Sequence, residues 1–277
     1  MSLRKLKKRN LQELPALVIA AFGTNTKGKI VYDLFKEQLQ KHLPERRTVW
    51  AYTSEIVRET TGHPGVLEAL ALLEAEGYRK VVVQPLYIFP GTEYQELADT
   101  CMAFPGLRIV VAETLAHRWP FVQQALNFLS QDFLSPHEGV NLLVAHGTSL
   151  CTDPVNTLYI GLDYLVSHKY DNVILASLEG IPGHEGAFKK IRHAADNSCR
   201  HVRIIPFMYT AGIHVQKDLF GEGISFKSRL RELNYECDCL FAEHDGNLFP
   251  KALGFYDFIH GCFIERIARA MDLLTSY

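Results

Sequence analysis

The sequence predicts an α/β protein of two Rossmann-like lobes with parallel sheets, related by an internal duplication, with a cleft between them. Three observations support that expectation. Continuous apolar runs alternate with amphipathic stretches along the chain, the rhythm of parallel strands covered by helices on both faces. That rhythm restarts near Val140 with sequence matches to its first pass. The length of 277 residues exceeds one small core and suits two units of about 100–150 residues each.

Residues 16–22 form an apolar run ending at Gly23 and read as a strand buried on both faces. Residues 29–42 place Ile30, Leu34 and Leu39 among charges, a helix pattern. Residues 48–53 read as strand, 66–76 as a helix stopped by Gly77, 80–89 as strand, 94–103 as a short helix and 108–112 as strand. Residues 119–133 read as a helix with Phe121, Ala125 and Phe128 on one side. In the second pass, strands are expected at 140–145, 172–177, 202–208 and 237–243. Helices are expected at 155–168, 186–198, 224–233 and 256–274. The organisation is then a basic tail at 1–15, an N-terminal lobe at 16–137 and a C-terminal lobe at 138–277, whose last helix is a candidate to pack back on the first lobe.

The repeat is visible residue by residue. The run from Ala16 through Phe22-Gly23-Thr24 matches the run from Val140 through His146-Gly147-Thr148, and the stretch from Val49 matches that from Val173, setting Glu55 opposite Glu179 at the same offset of 124 residues. Gln84-Pro85 through Gly91 and Glu93 matches Ile205-Pro206 through Gly212 and His214 at an offset of 121.

Composition excludes several function classes. Hydrophobic residues make up 47% and charged residues 22%, ordinary for a globular protein. A formal net charge of −2 gives no basic surface for nucleic acid. No apolar stretch approaches the 18 or so residues of a membrane span. Arg4, Lys5, Lys7, Lys8 and Arg9 precede an apolar run, as in a secretion signal, but Glu13 and Pro15 interrupt it and no small-residue cleavage site follows. The six cysteines, Cys101, Cys151, Cys199, Cys237, Cys239 and Cys262, are scattered. Cys237-x-Cys239 is the one close pair and reads as part of a strand, because a zinc site would want more ligands at recognisable spacing. Scattered thiols suit a reducing compartment, so a cytoplasmic protein is expected.

Open α/β sheets bind ligands outside the carboxyl ends of their strands. The matched motifs all fall where a strand hands over to a loop, so two facing lobes would bring them to one cleft. Positions that differ between the copies are then informative: Phe22 against His146, and Glu93 against His214. Each residue alone has a structural alternative, such as a hydrogen-bonded core histidine, or a carboxylate at a helix N-terminus in the case of Glu93 and Glu179. Four potential ligands on equivalent edges favour a shared metal or acid–base site.

These residues also carry a family likeness. Phe22-Gly23-Thr24, Thr53-Ser54 followed by Arg58, Gln84-Pro85-Leu86 with Gly91-Thr92-Glu93-Tyr94, His146-Gly147, Glu179, and Pro206 with Ala211-Gly212-x-His214 together resemble the anaerobic sirohydrochlorin cobaltochelatases of the CbiK type, over nearly the whole chain. The resemblance implies a class II chelatase fold and an ATP-independent enzyme of cobalamin biosynthesis that inserts Co2+ into a sirohydrochlorin-type tetrapyrrole. It implies metal handling by His146, His214 and Glu179, and places the first-lobe motif glutamate at Glu93. One departure is Ile213, where family members often carry an acidic residue; this puts the tuning around the second histidine in doubt. The haem of some exported relatives is not carried over.

The chemistry fits these residue types. A metal must lose water, two pyrrole N–H protons must leave, and the ring nitrogens must replace protein ligands. Imidazoles and a carboxylate bind Co2+, Fe2+, Ni2+ and Zn2+ reversibly, so the donor set leaves Fe2+ or Ni2+ insertion open, and a non-catalytic carrier keeps the same cleft. His146, His214 and Glu93 are the catalytic candidates, any of which can accept pyrrole protons. Phe22, Gly23, Thr24, Arg58, Glu93 and Gly147 are expected to contact the tetrapyrrole, the glycines by close backbone approach and Arg58 by gripping a carboxylate. Lys27, Lys29, Lys189, Lys190 and Arg192 are further cations after strands. Neither glycine lies in a phosphate-binding motif, so no nucleotide cofactor is expected. Oligomeric state is left open, a homo-oligomer included.

Overall fold

The computed structural model describes residues 11–194 and 200–275, the side chains of Ala194, Ile213 and His214 excepted. The basic tail through Asn10, and Cys199, lie outside the described residues. The first pass contains β1 (Ala16–Ala21), α1 (Ile30–His42), β2 (Thr48–Tyr52), α2 (Glu55–Thr61), α3 (Val66–Ala75), β3 (Lys80–Pro85), α4 (Thr92–Met102), β4 (Arg108–Val111) and α5 (Trp119–Leu129). The second contains β5 (Val140–Gly147), α6 (Val155–Lys169), β6 (Val173–Glu179), α7 (His184–Ala194), β7 (His201–Pro206), α8 (Ile213–Phe220), α9 (Phe226–Glu232) and β8 (Glu236–Asp238). A hairpin of β9 (Phe241–His244) and β10 (Asn247–Pro250) follows, then α10 (Asp257–Thr275). Among the described residues no helix is long and apolar enough to cross a membrane.

The duplication appears directly in the topology. One sheet runs β2-β1-β3-β4 and the other β6-β5-β7-β8, all pairs parallel. β1 is buried along its whole length, and its side chains divide by the two-residue strand period. Ala16, Val18 and Ala20 enter a core on the outer face of the first lobe with Leu70 and Leu73 of α3. Leu17, Ile19 and Ala21 face a central core that also receives Leu143 and Ala145 of β5. The second lobe has its own outer core, where Leu142 and Val144 meet Phe188 and Ile191 of α7. The central core therefore belongs to both lobes and fixes them back to back.

Two helices tie the lobes further. α10 lies against β3 and β4. Its buried Arg266 donates to Thr114 O at 3.1 Å and Leu115 O at 3.0 Å, with the guanidinium over the Phe121 ring of α5. α5 in turn meets α6, where Trp119 covers Gly161, and Tyr170 donates to Leu126 O at 3.4 Å.

The structure departs from the sequence reading in five places. α2 and α8 are helices that the reading left as loop. The strand expected at 80–89 ends at Pro85, and residues 86–89 curl over the sheet edge, with Leu86 N–H donating to Ala20 O at 2.8 Å. The strand expected at 237–243 is broken between β8 and β9, and β9 turns back through Asp245-Gly246, both at positive φ, into β10. Finally, Val18 pairs with Val49 whereas its repeat counterpart Leu142 pairs with Ile174. The second strands are thus displaced by one residue relative to the sequence match, and Glu179 corresponds to Ser54 rather than Glu55.

Candidate functional site

A cleft of about 530 Å3 opens where the carboxyl ends of β1, β3, β5, β6 and β7 converge, the position at which open α/β sheets bind ligands. A lateral cavity of about 440 Å3 adjoins it and shares Phe22, Glu93 and Glu96 with it. Together they are of a size for a large organic ligand.

His146 is the penultimate residue of β5 and is exposed to the cleft, its Nδ1 lying 3.3 Å from Gly147 O. Glu179 ends β6 and also lines the cleft. Gly147 sets their relation. It sits at φ +79° in register with Glu179, and a Cβ there would lie 1.8 Å from Glu179 O. Only a glycine lets the two strand ends approach so closely. Gly23 repeats the geometry at φ +90°, where a Cβ would lie 2.8 Å from Val57 of α2. His214 is the second residue of α8, two after the N-cap Gly212, and its side chain lies outside the described residues. Among the described residues no three His, Cys, Asp or Glu side chains form a metal-holding group.

Glu93 is the second residue of α4 and reaches the cleft from the other lobe. It does not cap α4, which begins at Thr92; Asp153 of the C-terminal lobe accepts the Thr92 N–H at 3.2 Å. The cleft walls desolvate Glu93 although its surface stays open to water, and this raises its carboxyl above the ordinary value; His146 opposes the rise, while Glu96 and Asp153 add to it. The Glu93 carboxyl thus senses the neighbouring lobe.

The floor is apolar and aromatic. Phe22 presents 55% of its surface, a large exposed ring of the kind that marks a binding face. Behind it, Tyr32 and Tyr209 stack at 5.6 Å, and Phe89 meets Tyr159 edge-on at 4.9 Å. Burial raises the hydroxyls of Tyr32 and Tyr87, and pushes Tyr159 up to about 12, so all remain O–H donors near neutral pH. Sequence reasoning passed over these tyrosines, Glu96 and Asp153. The aligned segments after Pro85 and Pro206 held the signal for Tyr87 and Tyr209, since each copy places aromatic residues just beyond a matched strand end.

The expected cations divide. Arg58 of α2 lines the lateral cavity, its Nε is buried with no protein partner, and its guanidinium lies over Gly65. It is the one Lys or Arg among the described lining residues. Lys190 pairs with Asp163 at 2.7 Å and Lys27 donates to Asn247 at 2.8 Å; Lys29, Lys189 and Arg192 are exposed away from the lining. Thr24, like the buried Gly23, is not a lining residue. Its hydroxyl bonds Thr26 at 2.9 Å, and it faces Gly212 at the start of α8.

The family model described as cobalt chelatase (CbiK) matches residues 15–272. The chain belongs to the CbiK cobalt chelatase family. Among curated proteins it is 28% identical over 244 residues to the sirohydrochlorin cobaltochelatase CbiKC of Nitratidesulfovibrio vulgaris (strain Hildenborough), covering 82% of this chain and 84% of that protein. It is 25% identical over 226 residues to the sirohydrochlorin cobaltochelatase of Salmonella typhimurium (strain LT2), covering 77% and 83%. Among solved structures it shares its fold with SirB from Bacillus subtilis with Fe3+, at a TM-score of 0.64 and 14% identity, covering 94% of this chain and 97% of that one. The sirohydrochlorin chelatase SirB from Bacillus subtilis subspecies spizizenii in complex with cobalt gives a TM-score of 0.60 at 13% identity, covering 94% and 96%. This member of the CbiK family thus carries its cleft on the two-lobed fold that the duplication predicts.

Proposed function

We propose that this CbiK family member inserts Co2+ into a sirohydrochlorin-type tetrapyrrole, without a nucleotide. The observation behind this reading is that Glu93 of one lobe and His146 of the other line one cleft over an aromatic floor. A flat macrocycle stacks on Phe22 and the tyrosine-lined floor, while its acidic substituents reach toward Arg58 in the lateral cavity and toward hydroxyl and backbone N–H donors. The metal is a substrate. His146, Glu179 and His214 are assigned as its donors, two imidazoles and a carboxylate that release water from the ion yet surrender it to four ring nitrogens. As the metal enters, two pyrrole protons must leave. Glu93 is assigned to accept them in turn, passing each to solvent, since its raised carboxyl is a better base than a free glutamate. Neither Gly23 nor Gly147 lies in a phosphate loop, which supports insertion without ATP.

The test is anaerobic absorbance of sirohydrochlorin with Co2+, with parallel Fe2+ and Ni2+ reactions and a no-enzyme control. Faster formation of the cobalt product, lost in His146→Ala and His214→Ala proteins that keep their fold, supports the reading. Product with Fe2+ or Ni2+ but not Co2+ reassigns the metal. Tetrapyrrole binding without acceleration by any metal makes the protein a carrier, and wild-type turnover in either histidine variant removes the central assignment.

A further inference from the structure

We propose that Asp153 is a positioning residue that sets Glu93 against His146 by capping one helix from each lobe at once. The inference rests on the roles given above to Glu93 and His146. Asp153 stands in the loop between β5 and α6 and is only 9% exposed. Its Oδ1 accepts the N–H of Val155, the first residue of α6, at 3.0 Å, and that of Thr92, the first residue of α4, at 3.2 Å. Two helix N-termini, each with unsatisfied N–H groups and a partial positive charge, therefore converge on one carboxylate. Neither helix has a capping side chain at its own N-cap, which is Pro154 for α6 and Gly91 for α4. Gly91 brings the two ends together: a Cβ there would lie 3.2 Å from both Asp153 Oδ1 and Val155 Cβ.

The path from one functional side chain to the other is short and hydrogen-bonded. Glu93 follows Thr92 directly. On the other lobe, Asn156 Nδ2 donates to Leu150 O at 2.8 Å and Cys151 O at 3.2 Å, and Leu150 N–H donates to Thr148 Oγ1 at 3.2 Å. These bonds pin the loop that begins just after His146 and ends at Asp153. Any shift of Asp153 moves the first turn of α4, and with it Glu93, relative to His146.

The duplication supplies an internal comparison. At the equivalent junction the loop after β1 meets the start of α8, with Thr24 facing Gly212 and Thr210 donating to Gly28 O at 3.2 Å. Among the described residues the bond across this junction is donated by the Thr210 hydroxyl, and the N-cap of α8 carries no side-chain cap. Among the described residues the two junctions therefore differ: a hydroxyl bridges the one at α8, and a carboxylate bridges the one that carries Glu93.

The test compares Asp153→Asn and Asp153→Ala with the wild type in the anaerobic insertion assay, below the onset of melting of each variant. Asparagine keeps an oxygen that accepts both N–H groups; alanine keeps none. The expected result is a kcat within about threefold of wild type for Asp153→Asn and a fall of roughly ten- to a hundredfold for Asp153→Ala, the effect of an ångström-scale misplacement of a catalytic group. KM for the tetrapyrrole should change by less than about twofold in both, because Asp153 leaves the floor and Arg58 untouched. Amide hydrogen exchange gives a second readout independent of turnover: the first turn of α4 loses protection in Asp153→Ala and keeps it in Asp153→Asn. Wild-type kcat in Asp153→Ala overturns the proposal, as does an equal loss of kcat in both variants. If the wild type accelerates no insertion, the assignment of function fails, and exchange alone judges the clamp: unchanged protection of α4 in Asp153→Ala then overturns it.

Discussion

Gly147→Ala tests the claim that closeness of the β5 and β6 ends positions the metal-handling pair. The new Cβ would lie 1.8 Å from Glu179 O, and real Cβ atoms essentially never come within 3.0 Å of another heavy atom, so the strand ends must separate by at least 1.2 Å. The contact is backbone, so no side-chain rotation relieves it. His146 and Glu179 ride on the two strands that move. A displacement of this size costs on the order of a hundredfold in rate when it misplaces reacting groups. The residue must also hold φ +79°, and a non-glycine residue in that region costs about 1–2 kcal/mol. Two control variants separate the effects. Gly62 has φ +69° and open space around its Cβ position, so Gly62→Ala carries the conformational cost without the clash. Gly186 in α7 has neither, so Gly186→Ala should be neutral or stabilising by about 0.5–1 kcal/mol. Thermal melting and the anaerobic insertion assay, run on all three, should show both Gly147→Ala and Gly62→Ala destabilised, with only Gly147→Ala losing kcat. Wild-type kcat in Gly147→Ala refutes the reasoning, and an equal loss in Gly62→Ala assigns the effect to stability.

Arg58→Ala should raise KM for the tetrapyrrole about tenfold with kcat within about twofold, and Arg58→Lys should restore little, because an ammonium lacks the guanidinium fork; an unchanged KM removes Arg58 from the binding surface. Glu93 must be ionised to accept a proton, so the rate should fall as pH drops through its raised value, placing the acid limb of the kcat profile above the ordinary 4.5 and lower in Asp153→Asn; an acid limb that Glu93→Gln leaves in place contradicts the assignment. Because that carboxyl holds its proton more tightly folded than unfolded, its contribution to stability falls as pH rises from the ordinary to the raised value, and Glu93→Gln should melt higher than wild type at neutral pH. Arg266→Ala should cost about 3–5 kcal/mol in urea unfolding, since it removes a buried guanidinium that donates to Cys262 O of its own helix and to two carbonyl oxygens, Thr114 O and Leu115 O, of the loop before α5; a loss below about 1 kcal/mol would show that α10 is held by apolar packing alone.

What the sequence made legible follows from where burial is strong. β1 and β5 are continuous apolar runs because both faces are covered, and the repeat then brought Phe22, Glu93, His146 and Glu179 to equivalent edges. The misses lie where burial is weak or one-sided. α2 buries only Val57, so it has no apolar period to read. β9 is largely exposed, and its pairing with β10 was signalled only by the Asp245-Gly246 turn, which favours a tight hairpin. The one-residue error at Glu179 has a physical origin. β2 alternates buried and half-buried positions while β6 is buried over its first five, so its apolar pattern cannot choose between neighbouring registers. Asp153 shows the harder limit. Read along the chain it is an aspartate before a proline at a helix start, an ordinary local cap. Its consequence comes from Thr92, 61 residues away, and becomes visible only when the two lobes are placed together. A duplicated sequence therefore reveals which positions face the cleft. The groups that hold one lobe's acid against the other lobe's imidazole lie outside the matched motifs, because the two junctions use different contacts: a carboxylate accepts from α4, whereas the Thr210 hydroxyl before α8 donates to Gly28 O.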